Sequence, residues 1–210
     1  ENHQQDIPSG EENGAGQNCL EAAYLLVAVG RSPNLADLGL EEVGLKLTER
    51  GLIPVDCYMR TEVDNIYAIG DIVPAPQLAH MAAAEAIVAV EHAFGLEPQL
   101  LNYEQCPSAT YCQPEVASVG LTQEKAEELG YKTAIGKFPL AALGKANISG
   151  HTDGFVKIVA DAESKQVLGL HIIGEHACDL IAEGTLALHK AASLEDIAST
   201  IHPHPSLSES

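Results

Sequence analysis

Two short apolar runs, each ending at a glycine, constrain the fold of this chain more than any other feature. The first covers residues 22–29 and stops at Gly30, and the second covers residues 66–69 and stops at a Gly-Asp pair. Short runs that are apolar throughout are typical of strands covered on both faces in a parallel sheet. The alanine-rich stretch 78–94, which follows the second run, predicts a helix. The first half of the chain is therefore predicted to be of the α/β class.

The second half of the chain, from Cys106 onward, has a different pattern. Strand-like segments are "SATYCQPEVASVG", "KTAIGKFPL", "GFVKIVAD" and "QVLGLHIIG", and a polar turn joins the last two into a predicted hairpin. Helical segments are "LTQEKAEELG", with Thr122 as candidate N-cap, "ACDLIAEGTLALHKAAS" and "SLEDIAST". This order of elements predicts an α+β domain with an antiparallel sheet and helices grouped on it.

Charge and cysteine content exclude several classes of function. The formal net charge is −19, from 30 acidic and 11 basic residues, which argues against nucleic acid or an anionic membrane surface as a partner. No apolar run approaches the roughly 20 residues of a membrane span. The five cysteines show no two-residue spacing of a zinc or redox pair, so we expect reduced thiols in a reducing compartment, the cytoplasm or an organelle matrix.

Both ends of the chain suggest a piece of a longer protein. The first residue is Glu1, and the last, Ser210, falls inside a loop motif. Residues 1–20 are polar, with no apolar period, and predict an exposed hairpin or a frayed end.

The final stretch, "HPHPSLSES", carries the strongest candidate chemistry. Histidine is a useful base near neutral pH, and it works best when a carboxylate holds its other ring nitrogen. A helical turn starting after Pro205 would bring Glu209 back toward His204, so His204 as base and Glu209 as orienting carboxylate form a sensible pair. Two alternatives are a metal chelate by His202 and His204, which lacks partner ligands at a telling spacing, and two ordinary loop histidines.

Five motifs give the chain a resemblance to a known family. "VAVGRSPN", "NIYAIGDI", "QLAHMAAAEAI", "QPEVASVGLT" and "HPHPSLSE" occur in the same order as in the flavoprotein pyridine nucleotide-disulfide oxidoreductases. The third and fifth are most similar to the members that oxidise dihydrolipoamide. The similarity covers the C-terminal half of the family's pattern. A GxGxxG after a strand, a CxxxxC redox pair and the body of the NAD-binding unit are not found.

The resemblance implies a domain organisation. Residues 1–38 would be the tail of an NAD-binding domain, and residues 39–104 the C-terminal part of an FAD-binding domain. Residues 105–210 would form the dimerisation domain. The implied fold is an incomplete FAD/NAD Rossmann-type segment followed by an α+β interface domain with an antiparallel sheet.

The resemblance also implies cofactor-binding residues. Gly30 would lie near NAD, although it is equally well explained as the end of a strand. Asp71 would hydrogen-bond the ribityl chain of FAD, against the alternative of a turn-forming or capping aspartate. The residues Gln77, Leu78, Ala79 and His80 would begin the helix at the flavin's pyrimidine edge, where a helix N-terminus stabilises negative charge. No metal site is expected.

The family mechanism implies a catalytic role for the final stretch "HPHPSLSES". His204 would take the proton of a dihydrolipoamide thiol, Glu209 would orient the ring, and electrons would pass through a disulfide and FAD to NAD+. The partners implied are a second copy of the chain in a homodimer and a lipoyl-bearing protein of a 2-oxo-acid dehydrogenase complex. The alternatives are a reductase of the glutathione or mercuric type and a non-catalytic dimerisation module. We expect the 210 residues alone to be inactive.

Overall fold

The computed structural model describes residues 11–13, 17–19 and 22–210, with side chains from residue 22 onward. The chain divides into two compact units, residues 1–34 and 35–210. In the first unit, β1 (Glu11–Asn13) pairs antiparallel with β2 (Gln17–Cys19). The predicted hairpin is therefore confirmed for these two strands, and the rest of the prediction for residues 1–20 lies outside the described residues.

The prediction of a strand over residues 22–29 is wrong. This segment forms no strand, and its apolar side chains are exposed, with Tyr24 at 93% and Leu26 at 90% of their full accessible surface. A strand of a parallel sheet needs neighbours that accept and donate its backbone hydrogen bonds. Among the described residues of this unit, the strands are β1 and β2, and they pair with each other.

The second predicted strand, over residues 66–69, also does not form as a regular element. Tyr67 makes an isolated antiparallel bridge with Arg60, and Ala68 is buried in a small cluster with Ile53 and Val73. A 3-10 turn, Gly70–Ile72, follows at once. The apolar character of the run therefore reflects burial in a loop-rich core.

The predicted alanine-rich helix is confirmed as α1 (Ala79–Ala93), and Gly95 beyond it has a φ of 76°. A positive φ of this kind is common where a glycine ends a helix. Met81, Val88 and Ala89 on one face of α1 are buried. This helix packs beside the turn Gly70–Ile72, so the two elements form the part of the unit that the sequence assigned to a cofactor.

A five-stranded antiparallel sheet with helices forms the rest of the second unit, as predicted. Its strands are β3 (Ser108–Thr110), β4 (Glu115–Gly120), β5 (Thr133–Pro139), β6 (Phe155–Asp161) and β7 (Val167–Gly174). They lie in the order β3-β4-β7-β6-β5, and the predicted hairpin is β6–β7. The helices of this part are α2 (Gln123–Glu128), α3 (Gly144–Ser149), α4 (Ala177–His189) and α5 (Leu194–Ser199).

The main core lies between this sheet and α4. It contains Ala117, Val119, Leu170, Ile172, Ile181 and Leu188. Gly184 of α4 approaches the sheet so closely that an added Cβ would overlap the side chain of Leu170. The close contact fixes α4 against β7, which determines where the side chains of α4 stand relative to the last residues of the chain.

Candidate functional site

The last nine residues, 202–210, form a segment that we call the histidine tail. It contains a 3-10 turn, Leu207–Glu209. Leu207 is 8% exposed and packs in a cluster with Leu140, Leu143 and Ala146. One buried leucine therefore anchors the tail to the body of the unit, while the polar residues around it remain near the surface.

His204 and Glu209 are brought together by this turn. Nδ1 of His204 lies 2.9 Å from Oε1 of Glu209, and the backbone N–H of Ser206 donates to Oε2 of the same carboxylate, also at 2.9 Å. The Ser206 N–H, followed by the imidazole of His204, holds the pKa of the Glu209 carboxyl below its usual value. The carboxylate thus closes its own turn with one oxygen and holds the histidine with the other.

The exposure of the pair fits a group that meets a reactant from outside the chain. The side chain of His204 is 77% exposed, whereas that of Glu209 is 27% exposed. When Nδ1–H of a histidine donates to a carboxylate, Nε2 is the unprotonated nitrogen and can accept a proton. The geometry is that of a general base held in one tautomer.

A second histidine–carboxylate pair lies beside the first and was not predicted from the sequence. Nε2 of His202 is 2.8 Å from Oε1 of Glu183, a residue of α4. The side chain of His202 is 19% exposed. This bond ties the start of the histidine tail to α4, so His202 has its own partner and does not share a ligand set with His204.

An apolar groove of about 580 Å³ adjoins the histidine tail. The apolar residues along it include Phe138, Val156, Ile158, Leu180 and Ile197. His202 and Glu209 also contribute to its lining. The tail therefore stands at the border between an apolar surface and solvent.

The candidate cofactor residues around Asp71 occupy the junction of the turn Gly70–Ile72 and α1. Asp71 is exposed, and its carbonyl oxygen accepts a hydrogen bond from the side-chain amide of Gln77 at 3.1 Å. The N–H of Gly70 donates to Oε2 of the buried Glu85 at 2.7 Å. The turn is therefore held in place on both sides of its exposed carboxylate.

The start of α1 presents hydrogen-bond donors. Leu78 is the N-cap residue, and its side chain caps no backbone amide, so the amides of the first turn remain for another acceptor. Ala79 and His80 are exposed at this end, and Nε2 of His80 lies 2.8 Å from the carbonyl oxygen of Pro107. Amide donors at the end of a 15-residue helix, beside an exposed carboxylate, fit the polar edge and the hydroxyl chain of a flavin.

Gly30 belongs to the first unit. A Cβ placed on it would meet no heavy atom within 4 Å, so the described structure shows no close approach there. Its role near a dinucleotide stays a prediction.

The described residues also show whether metal, disulfide or membrane-spanning features are present. No group of three or more His, Cys, Asp or Glu side chains is placed to hold a metal ion. The cysteines whose side chains are described, Cys57, Cys106, Cys112 and Cys178, are free thiols. No described helix combines the length and the apolar character that crossing a membrane requires.

Comparison with protein families gives two matches. Residues 106–210 match the pyridine nucleotide-disulphide oxidoreductase dimerisation domain, and residues 3–86 match the pyridine nucleotide-disulphide oxidoreductase model. Together these two segments span most of the chain.

Curated relatives carry the name dihydrolipoyl dehydrogenase. The chain is 46% identical over 194 residues to that of Haloferax volcanii, covering 92% of this chain and 41% of the relative. It is 47% identical over 188 residues to one from Bacillus subtilis, covering 90% and 40%. It is 44% identical over 204 residues to the mitochondrial protein of Sus scrofa, covering 97% and 40%. The chain thus spans about two-fifths of the length of these relatives.

Two solved structures also match most of this chain. LpdA from Mycobacterium tuberculosis superposes with a TM-score of 0.85 at 29% identity, over 94% of this chain and 43% of that one. The flavoprotein disulfide reductase RclA from Escherichia coli gives a TM-score of 0.79 at 26% identity, over 87% and 42%.

Proposed function

Because this chain belongs to the pyridine nucleotide-disulphide oxidoreductase family, we propose that it is part of a flavoprotein that oxidises dihydrolipoyl groups and reduces NAD+. The name shared by its relatives from bacteria, archaea and pig supports this substrate. Residues 1–38 then close an NAD-binding domain, residues 39–104 complete an FAD-binding domain, and residues 105–210 form the dimerisation domain. The complete protein works in a reducing compartment, with a lipoyl-bearing protein of a 2-oxo-acid dehydrogenase complex as its partner.

The observation that carries the proposal is the 2.9 Å contact between His204 and Glu209. A thiol reacts with a disulfide only as the thiolate. Nε2 of His204 takes the proton from the dihydrolipoyl thiol, and the thiolate then attacks a disulfide supplied by another part of the protein. Glu209 keeps Nδ1 protonated and stabilises the imidazolium that forms.

The junction of the turn Gly70–Ile72 and α1 is proposed to hold FAD. Asp71 would accept hydrogen bonds from the hydroxyls of the ribityl chain, and the segment from Gln77 to His80 would lie at the pyrimidine edge. Of its amides, that of Leu78 already donates to the carbonyl oxygen of Pro76 at 2.8 Å, so the donors would be the amides that begin α1. Those amides favour negative charge at that edge, since the N-terminus of α1 carries a partial positive charge. When bound, FAD supplies the capacity to accept two electrons and pass them to NAD+. Gly30 lies in the segment proposed to approach NAD.

A homodimer explains why His204 points to solvent rather than into its own domain. Its side chain is 77% exposed, and the groove of about 580 Å³ next to the tail is apolar. A second copy that covered the groove would bring its own disulfide toward the exposed imidazole.

The test compares dihydrolipoamide with oxidised glutathione and mercuric ion as substrates of the complete protein. We expect dihydrolipoamide to drive NAD+ reduction, and His204→Gln to slow that reaction by a factor of about 10² to 10⁴, the usual contribution of a positioned base. His202→Gln is the matched control, and we expect it to keep most of the activity. Turnover of oxidised glutathione or mercuric ion in place of dihydrolipoamide would overturn the proposed substrate.

A second candidate applies to the 210 residues taken alone, namely a dimerisation module without catalysis. The exposed segment 22–29 favours it, because among the residues that the structure describes no strand pairs with this run. The purified chain should then be colourless, and a flavin absorbance in a one-to-one ratio would contradict this second candidate.

A further inference from the structure

The side chain of Glu85 is a buried carboxylate that the proposed reaction does not use. It lies on α1, six residues after the first residue of the helix, and it is 0% exposed. Its two oxygens accept different donors: Oε2 takes the N–H of Gly70 at 2.7 Å, and Oε1 takes the phenol O–H of Tyr103 at 3.1 Å. One side chain therefore joins the turn Gly70–Ile72, α1 and the segment that leads to the sheet.

Burying a carboxylate is costly unless donors satisfy its oxygens. A leucine of similar size would fill the same space without that cost, so packing alone does not explain a glutamate here. The charge of Glu85 also affects its neighbour Tyr103. Burial is the largest cause that raises the pKa of Tyr103 to about 12, and the negative charge of Glu85 is the next.

The bond to Gly70 acts at a position where the backbone requires glycine. Gly70 has a φ of 76°, a conformation that residues other than glycine rarely adopt, and a Cβ there would lie 3.2 Å from Cβ of Ala82 on α1. The next residue is Asp71, an exposed residue of the candidate flavin site. Because the Glu85 carboxylate accepts the N–H of Gly70, it also fixes the position of Asp71 relative to the start of α1.

We propose that Glu85 is a positioning residue for flavin: it holds the Gly70 amide and so keeps Asp71 and the first amides of α1 in one fixed arrangement. This inference rests on the proposed function, since it concerns how the chain's own residues present themselves to FAD. Glu85 itself is enclosed by the chain's own residues, so it acts through Gly70. Removing its carboxylate leaves a buried N–H without an acceptor, and the turn must then shift to reach water.

The experiment measures the dissociation constant of FAD in the complete protein, after flavin removal and titration back, by the quenching of FAD fluorescence. Glu85→Leu should raise this constant about tenfold or more, which corresponds to about 1.4 kcal/mol or more, because the turn shifts without its acceptor and must be returned to its place when FAD binds. Glu85→Gln keeps an acceptor oxygen for Gly70 and should restore most of the affinity. Val88→Ala is the matched control, because it removes buried atoms from the same helix without touching the turn.

The outcomes separate positioning from simple stability. Raised dissociation constants in Glu85→Leu, with near-native values in Val88→Ala and Glu85→Gln, support the inference. Equal flavin affinity in Glu85→Leu and the starting protein, or an equal loss in Val88→Ala, would show that Glu85 contributes only to stability. A starting protein that binds no FAD would overturn the proposed function and, with it, this inference.

Discussion

Leu207→Ala is expected to release the histidine tail while leaving the rest of the second unit folded. Leu207 is 8% exposed and packs with Leu140, Leu143 and Ala146. Leucine-to-alanine changes at buried sites cost about 2–5 kcal/mol, and the small cluster places this one near the lower end, at about 2–3 kcal/mol. That loss reduces the equilibrium constant for docking of the tail roughly 30- to 150-fold.

Titration of Glu209 by carboxyl NMR reports the release. In the docked tail, the Ser206 N–H and His204 keep the pKa of this carboxyl lowered. A lowered pKa means that the ionised form stabilises docking above about pH 4.5, the ordinary value, and that this stabilisation is lost as the pH falls through the lowered pKa. In Leu207→Ala the two bonds open, so the pKa should rise toward the ordinary value.

The matched control is Leu140→Ala in the same cluster. Leu140 is fully buried, and its truncation should lower the free energy of global unfolding by about 2–5 kcal/mol in a urea titration. Leu207→Ala should change that free energy far less. If Leu207→Ala lowered global stability as much as the control does and left the Glu209 pKa low, the tail would be part of one cooperative unit and the reasoning would be wrong.

Three further predictions concern the two sites and the sheet. Glu209→Gln should slow flavin reduction by dihydrolipoamide about a hundredfold or more in stopped-flow measurements, because an amide nitrogen facing Nδ1 of His204 favours the tautomer whose Nε2 is already protonated. Glu85→Gln should lower the pKa of Tyr103 from about 12, yet keep it above 10.0, since burial is its largest cause; an unchanged ultraviolet titration would contradict this. Gly120→Ala should lower the free energy of unfolding by about 3 kcal/mol or more, because φ is 77° and its Cβ would overlap a backbone oxygen of β7; a loss below about 1 kcal/mol would refute it.

The helices α1, α2, α4 and α5 were predicted because their signals are local, whereas the short helix α3 was not predicted. Thr122 accepts a hydrogen bond from the N–H of Lys125 and begins α2, as expected from the sequence. Gly95 follows the end of α1, and the polar turn between β6 and β7 forms the predicted hairpin. Caps, glycine stops and short turns involve residues a few positions apart, so the sequence contains the whole interaction.

The predicted strands over residues 22–29 and 66–69 failed for the opposite reason. An apolar run indicates burial, but a strand also requires a neighbouring strand, and its identity is not contained in the run itself. Residues 66–69 satisfy burial inside a loop core, with a single bridge at Tyr67. The apolar pattern correctly indicated burial for residues 66–69 but not a regular strand, and for residues 22–29 it indicated neither correctly.

In the candidate site, too, contacts between residues close in sequence were predicted and contacts between distant residues were not. The bond between His204 and Glu209 was expected because five positions and one turn separate the two residues. The bond from His202 to Glu183 spans 19 positions, and the bond from Gly70 to Glu85 spans 15, with no local pattern that links their ends. These two bonds depend on the packing of α4 on the sheet and of α1 on the turn Gly70–Ile72, which the sequence pattern does not specify.

The exposed apolar run near the start of the chain has a practical consequence for anyone who produces these 210 residues alone. Tyr24, Leu25, Leu26 and Val29 are each at least 88% exposed in a segment that carries no charge. Uncharged stretches rich in β-branched and aromatic residues are templates for intermolecular strand pairing. The acidic surface of the remaining chain opposes this self-association through charge repulsion, which salt screens. Turbidity should therefore increase with ionic strength, and replacing Leu26 with lysine should keep the preparation clear.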